Sequence, residues 1–170
     1  MTESASRSAV VVTTAVLMLC TACFGSGTRT TETGRGLPQL TVRFPATAAP
    51  TATEDLVLSI SNPGPGEMDS VFVAFTNVGA PGSGLGQELI PFASGGENPA
   101  IAGIDPRPES VSEDGVVYRF PGLAVGESTT ITFSIVVPTD RGVAASSVQV
   151  YDGNEVDRAV GERVSTTVQG

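Results

Sequence analysis

The chain has 170 residues, with 18 Asp and Glu against 9 cations, all of them Arg, and a formal net charge of −9. Having no Lys and no His, it lacks the parts for Ser-His-Asp, Cys-His and Ser-Lys nucleophilic sites and for Schiff-base amines. It also lacks the Lys/Arg patch that displaces counterions from nucleic acid, so no nucleic-acid partner is expected.

In chain order, residues 9–19 form an apolar run with Arg7 before it and Cys20-Thr21-Ala22-Cys23 after it. A positive start, about 7–15 apolar residues and small residues before a cut describe a secretory signal. The segment resembles the signal peptide of bacterial lipoproteins, in which small residues precede a cysteine that becomes the acylated first residue. Cys23 stands at that place, with Cys20 at the position that usually holds Leu and Leu19 one step further back. The resemblance implies a signal peptide over residues 1–22, lipid attachment at Cys23 and residence on the outer face of the bacterial cytoplasmic membrane, with secretion as the alternative. A retained span is disfavoured, because a membrane-crossing helix needs about 20 apolar residues. The CxxC of Cys20 and Cys23 has no βαβ pattern near it to suggest a redox pair.

Residues 23–37, rich in Gly, Ser and Thr, have linker composition. A domain is expected over residues 38–170, with residues 45–53 as a Pro/Ala/Thr-rich loop after its first strand. From there the period is two. Leu56, Leu58 and Ile60 mark a strand that stops at Asn62-Pro63-Gly64-Pro65-Gly66, and Val71, Val73 and Phe75 mark the next. Residues 79–103 are dense in Gly and Pro; the apolar pieces Leu89-Ile90 and 101–104 read as edge strands or a wandering loop. Residues 116–120 form a short strand. Residues 129–137 form the strongest one, with Ile131, Phe133, Ile135 and Val137 on one face and Thr130, Thr132 and Ser134 on the other. Residues 143–151 and 163–168 complete the series around Asp152-Gly153-Asn154, a turn signal. No stretch shows a capped helical stripe. Seven to eight short strands predict an all-β, immunoglobulin-like antiparallel sandwich.

Two of these turns carry a resemblance. Asn62-Pro63-Gly64, closing an early strand, and Leu123-Ala124-Val125-Gly126-Glu127-Ser128, opening a late one, are similar to turns of the bacterial surface-domain families that include the cell-adhesion-related domain CARDB. In the second turn Leu123 can pin the loop to the core, Gly126 can take a positive φ and Ser128 begins the exposed face. The resemblance runs from about residue 54 to residue 151 and implies a surface domain of sandwich fold.

For chemistry, carboxylates are what remain. Asp152, Asn154, Glu155 and Asp157 offer oxygen ligands to calcium, and Glu113-Asp114 form a second acidic spot, but the spacing of a calcium loop with its terminal bidentate Glu is absent. Gly82-Ser83-Gly84-Leu85-Gly86 is followed by no Lys-Ser/Thr and is no phosphate loop. Tyr118 and Tyr151 are expected half-buried in strands. No residue is assigned as catalytic and no cofactor is expected. The reading is a lipid-anchored, non-enzymatic binding or structural module of the cell envelope, with an envelope protein or the cell wall as partner. The excursion over residues 79–103 is its expected contact surface, with Leu85, Leu89 and Phe92 as binding residues. A calcium-dependent adhesion domain and a small carboxylate-based hydrolase are the alternatives.

Overall fold

The computed structural model describes residues 36–76, 86–153 and 155–170. The signal segment, Cys23, Leu85 and Asn154 lie outside them. The period-two patterning becomes eleven strands among these residues: β1 (Gln39–Arg43), β2 (Thr47–Ala48), β3 (Thr53–Ser61), β4 (Met68–Thr76), β5 (Gln87–Glu88), β6 (Ile101–Asp105), β7 (Ser110–Val111), β8 (Val117–Leu123), β9 (Ser128–Val136), β10 (Gly142–Asp152) and β11 (Val160–Val168). Three of them, β2, β5 and β7, are two residues long; the other eight are the strands that alternation in the sequence can reveal.

They form two sheets. One has the order β1-β3-β9-β6; the other runs β2-β11-β10-β4-β8-β7, with β5 beside β10. The antiparallel pairs β3–β9 in one sheet and β4–β10–β11 in the other give the sandwich its immunoglobulin-like character. The first part of the chain divides itself between the sheets: β1 pairs antiparallel with β3, and after Pro45 β2 pairs parallel with β11. The segment expected to be a plain loop therefore contains a strand, bonded from Thr167 N–H to Ala46 C=O at 2.9 Å and from Gln169 N–H to Ala48 C=O at 3.0 Å.

Alternation decides which side chains go inside. Leu56, Leu58 and Ile60 of β3 and Ile131, Phe133 and Ile135 of β9 are buried against Val71, Val73 and Phe75 of β4 and Val148 and Val150 of β10. Phe133 takes edge-on contacts from Phe75, Tyr118 and Phe120, with ring centroids 5.0, 5.2 and 6.3 Å away. Such pairs add about 0.5–1.5 kcal/mol each beyond the area they bury. The two tyrosines are more deeply placed than expected. Tyr118 lies inside this cluster and donates its hydroxyl to Gly115 C=O. Tyr151 stacks on Phe72 with centroids 5.4 Å apart and planes 4° from parallel.

The two turns that resemble each other's counterparts in surface domains meet through one side chain. Asn62 is fully buried. Its Nδ2 donates to Gly66 C=O and to Leu123 C=O, both at 2.9 Å, and its Oδ1 accepts from Gly64 N–H at 3.0 Å. Its backbone accepts from Gly126 N–H at 2.7 Å and donates to Glu127 C=O at 2.9 Å. Leu123 is buried and Gly126 has φ of 82°, as the sequence pattern requires.

The glycine-rich excursion differs from expectation. β4 reaches Ser147 of β10 with its last residue, Thr76, and leaves the first part of β10 without a neighbour on that side. β5 fills this place in parallel, opposite Ala144 and Ala145. Leu89 N–H then bonds to Ala145 C=O at 3.1 Å and Ile90 N–H to the buried Ser146 Oγ at 3.0 Å. Both Leu89 and Ile90 are fully buried and close that end of the core. Leu89 is a core residue, not a binding-loop residue: an apolar side chain at a gap between sheets gains more from burial than from exposure.

Candidate functional site

Among the depressions that open on the sandwich, three are lined by described residues as follows. One of about 400 Å³ lies between β1 and the first half of β11. One of about 320 Å³ is lined by Thr51, Leu89, Pro91 and Pro138 among others. The third, of about 610 Å³, lies where β6, at the edge of one sheet, faces β7, at the edge of the other, and is lined by residues from both together with part of the excursion, residues 94–99.

The chemistry of this third groove follows from how its walls are held. Asn98, buried, donates from Nδ2 to Pro91 C=O at 2.8 Å and to Gly115 C=O at 3.1 Å, and accepts at Oδ1 from Ala100 N–H at 3.1 Å. One side chain thus ties the excursion to the β7–β8 turn and starts β6. Ala93 N–H to Asp114 C=O and Gly96 N–H to Glu113 C=O, both 2.9 Å, complete the seam. The turn itself is closed by Ser112, whose Oγ accepts from Val117 N–H at 3.0 Å and donates to Asp114. Segments rich in Gly, Pro and Ser are normally mobile surface loops; these bonds hold residues 91–100 of this one against the β7–β8 turn.

The groove's lining is mixed, and acidic side chains lie close to it. Ile101, Ile104, Val111 and Tyr118 supply apolar surface, and Glu97 lines it directly. Asp105 follows Ile104 in β6, while Glu113 and Asp114 occupy the turn; all three are exposed. Burial, and then the charge of Asp114, push the Tyr118 hydroxyl up to about 12. Arg107 is exposed in the link between β6 and β7. Arg119 lies across β8 and forms an ion pair with Glu109 at 3.4 Å.

Of the residues expected to bind, Leu85 lies outside the described residues, Leu89 is in the core and Phe92 is at the surface, 57% exposed. Among the described residues the calcium candidates Asp152, Glu155 and Asp157 do not come together as a group. Asp152 is 1% exposed. Its Oδ1 accepts from Ser70 N–H at 3.3 Å, and its Oδ2 has no hydrogen-bond partner among the described residues. Asn154 lies outside the described residues. Glu155 makes an ion pair with Arg158 at 3.9 Å, and Asp157 is exposed on the 3-10 turn Val156–Arg158. Among the described residues no three His, Cys, Asp or Glu come together as metal ligands. Asn98 and the groove's apolar walls were not singled out in the sequence. Their one visible signal was the pair of isoleucines at residues 101 and 104.

No family model and no curated protein matches the sequence. Solved structures with a similar course of strands include the CARDB domain of a Pyrococcus furiosus protein, in complex with di-metal ions (16% identity over 77% of this chain and 90% of that one, TM-score 0.41). A conjugative transposon lipoprotein from Bacteroides eggerthii is 7% identical over 76% of this chain and 96% of that one, with TM-score 0.41. BslA, a bacterial hydrophobin, is 9% identical over 78% and 98%, with TM-score 0.42. Similarity at this level carries nothing about ligand or activity.

Proposed function

We propose that this chain is a non-enzymatic recognition module of the bacterial cell envelope, held on the outer face of the cytoplasmic membrane by a lipid on Cys23. The observation that carries the recognition part is the groove between β6 and β7. Residues 91–100 of a connection rich in Gly and Pro are bonded by Asn98 into a wall beside β6 and β7, each at a sheet edge among the described residues. Rigid placement of a surface loop on a sandwich is how such scaffolds present binding surface. The anchoring part rests on the apolar run over residues 9–19 and the small residues before Cys23.

Two measurements test it. Intact mass spectrometry of the membrane fraction should show a chain beginning at Cys23 with added acyl mass, and no such species for Cys23→Ala; a chain that retains residues 1–22 overturns the anchoring. A photo-crosslinking residue at position 97 of the full chain, in cells, should capture an envelope component. Crosslinks no more frequent there than at position 54 overturn the recognition reading.

A further inference from the structure

We infer that the groove between β6 and β7 receives an extended, positively charged peptide segment of a partner, laid along the free edge of β6. The inference rests on the recognition reading above and names its ligand class. β6 is an edge strand: β9 lies on one side of it and no strand lies on the other among the described residues. An edge of this kind offers backbone donors and acceptors at strand spacing, and addition of a peptide strand is a general way of binding to it.

The walls set the side-chain pattern of the guest. Successive residues of a strand point to opposite faces, so every second side chain of an added strand would turn inward, toward Ile101, Ile104, Val111 and Tyr118, and the others toward the outer face of that sheet, the face of Asp105 and Thr132. Apolar residues suit the first set of positions. Charge decides the second: Asp105 on that face, with Glu97 in the wall and the exposed Glu113 and Asp114 in the turn whose backbone carbonyls bond to the wall, outweighs the single Arg107. Charge complementarity at a rim favours a guest carrying Lys or Arg and raises its rate of encounter. The same rim argues against a second copy of this chain as occupant. Two β6 edges paired together would bring Asp105 and Glu97 of each toward those of the other, and like charges across a strand pair are destabilising.

The probe is a synthetic peptide alternating Lys and Val, compared with one alternating Glu and Val, in titration calorimetry against the full chain. The Lys/Val peptide should bind at least about tenfold more tightly than the Glu/Val peptide, and more weakly as salt rises. The variant Glu97→Gln/Glu113→Gln/Asp114→Asn, in which Asn keeps the acceptor for Ser112, should weaken binding by about tenfold or more. A control that removes the same charge elsewhere, Glu54→Gln/Glu67→Gln/Glu162→Gln, should stay within about twofold. The single exposed change Glu97→Arg, which disturbs no bond of the fold, should narrow the preference between the two peptides. Equal losses in the two triple variants would mean that only the overall negative field attracts the peptide, and the inference falls. It falls also if the Glu/Val peptide binds as well, if the Lys/Val peptide does not bind, or if ultracentrifugation shows dimers that Glu97→Arg changes. A crosslinked partner at position 97 together with failure of the peptide would leave the recognition reading standing and remove this ligand class.

Discussion

Replacing Asn62 by Ala is the sharpest test of how the sandwich is held. The side chain is fully buried and makes three hydrogen bonds, to Gly66, Leu123 and Gly64, that link the end of β3 to the turn before β9. A hydrogen bond contributes about 1 kcal/mol net, and a buried group left unpaired costs about 1–3 kcal/mol. Three bonds, two of them with wholly buried partners, give an expected loss of about 3–5 kcal/mol. Against a total of about 5–15 kcal/mol for a typical domain, that is a large fraction. Urea unfolding followed by far-ultraviolet circular dichroism measures it as a lower midpoint at unchanged slope. Asn62→Asp sharpens the reasoning, because it keeps the shape and the acceptor for Gly64 but turns a carboxyl oxygen toward two carbonyls. Its folded pKa should lie above the unfolded value, so stability is retained below the unfolded pKa and is lost as pH rises through the folded pKa. A loss below about 1 kcal/mol in the Ala variant, or a deficit in the Asp variant that does not grow with pH, would refute the donor role assigned to Asn62.

Leu89→Ala should cost about 2–5 kcal/mol in the same assay, as a core truncation does, while Phe92→Ala stays within about 0.5 kcal/mol. Gly122→Ala should prevent native pairing of β4 with β8, since a Cβ there would lie 2.0 Å from Met68 C=O; Gly126→Ala, with open space around it but φ of 82°, should cost only about 1–2 kcal/mol. In an alkaline titration the Tyr118 phenolate should appear near pH 12, not 10. A pKa raised on folding means that stability is full below pH 10 and declines as pH rises through 12, and Tyr118→Phe should remove that contribution to the decline. Calcium should leave the melting temperature unchanged; a rise at saturating calcium, worth about 2.7 kcal/mol at a hundredfold excess over Kd, would reinstate the acidic turn after β10 as a site.

The long strands were legible because one face of each is buried and the other is not. β3 and β9 alternate without a break, and their faces came out as the pattern demands. The two-residue strands could not be read: β2, β5 and β7 are too short to show a period and exist because a neighbouring strand has unfilled backbone groups beside them. Leu89 shows the same limit. Its surroundings of Gly and Pro indicate a loop, and only the gap left beside Ala144 and Ala145 makes it core. Asn62 was visible as a turn residue, but its bond to Leu123 depends on two turns meeting in space, which no local pattern records. The groove itself was not legible: of the excursion expected as a contact surface only residues from Ser94 onward line it, and Val111 and Tyr118 come from the opposite sheet.

The pairing of Thr53 with Val136, and of every β3 residue between there and Ser61 with one of β9, has a kinetic side. The hairpin of β10 and β11 closes over a short connection, whereas the central pair of the other sheet must enclose β4 to β8 before its first bond forms. Closing so long a loop costs entropy before any contact compensates it, and sandwiches of this topology fold in about milliseconds to seconds. The late strands are therefore the ones that complete the domain, and a chain ended anywhere before β9 would leave β3 with β1 alone beside it and its apolar face without the cover of Val148 and Val150.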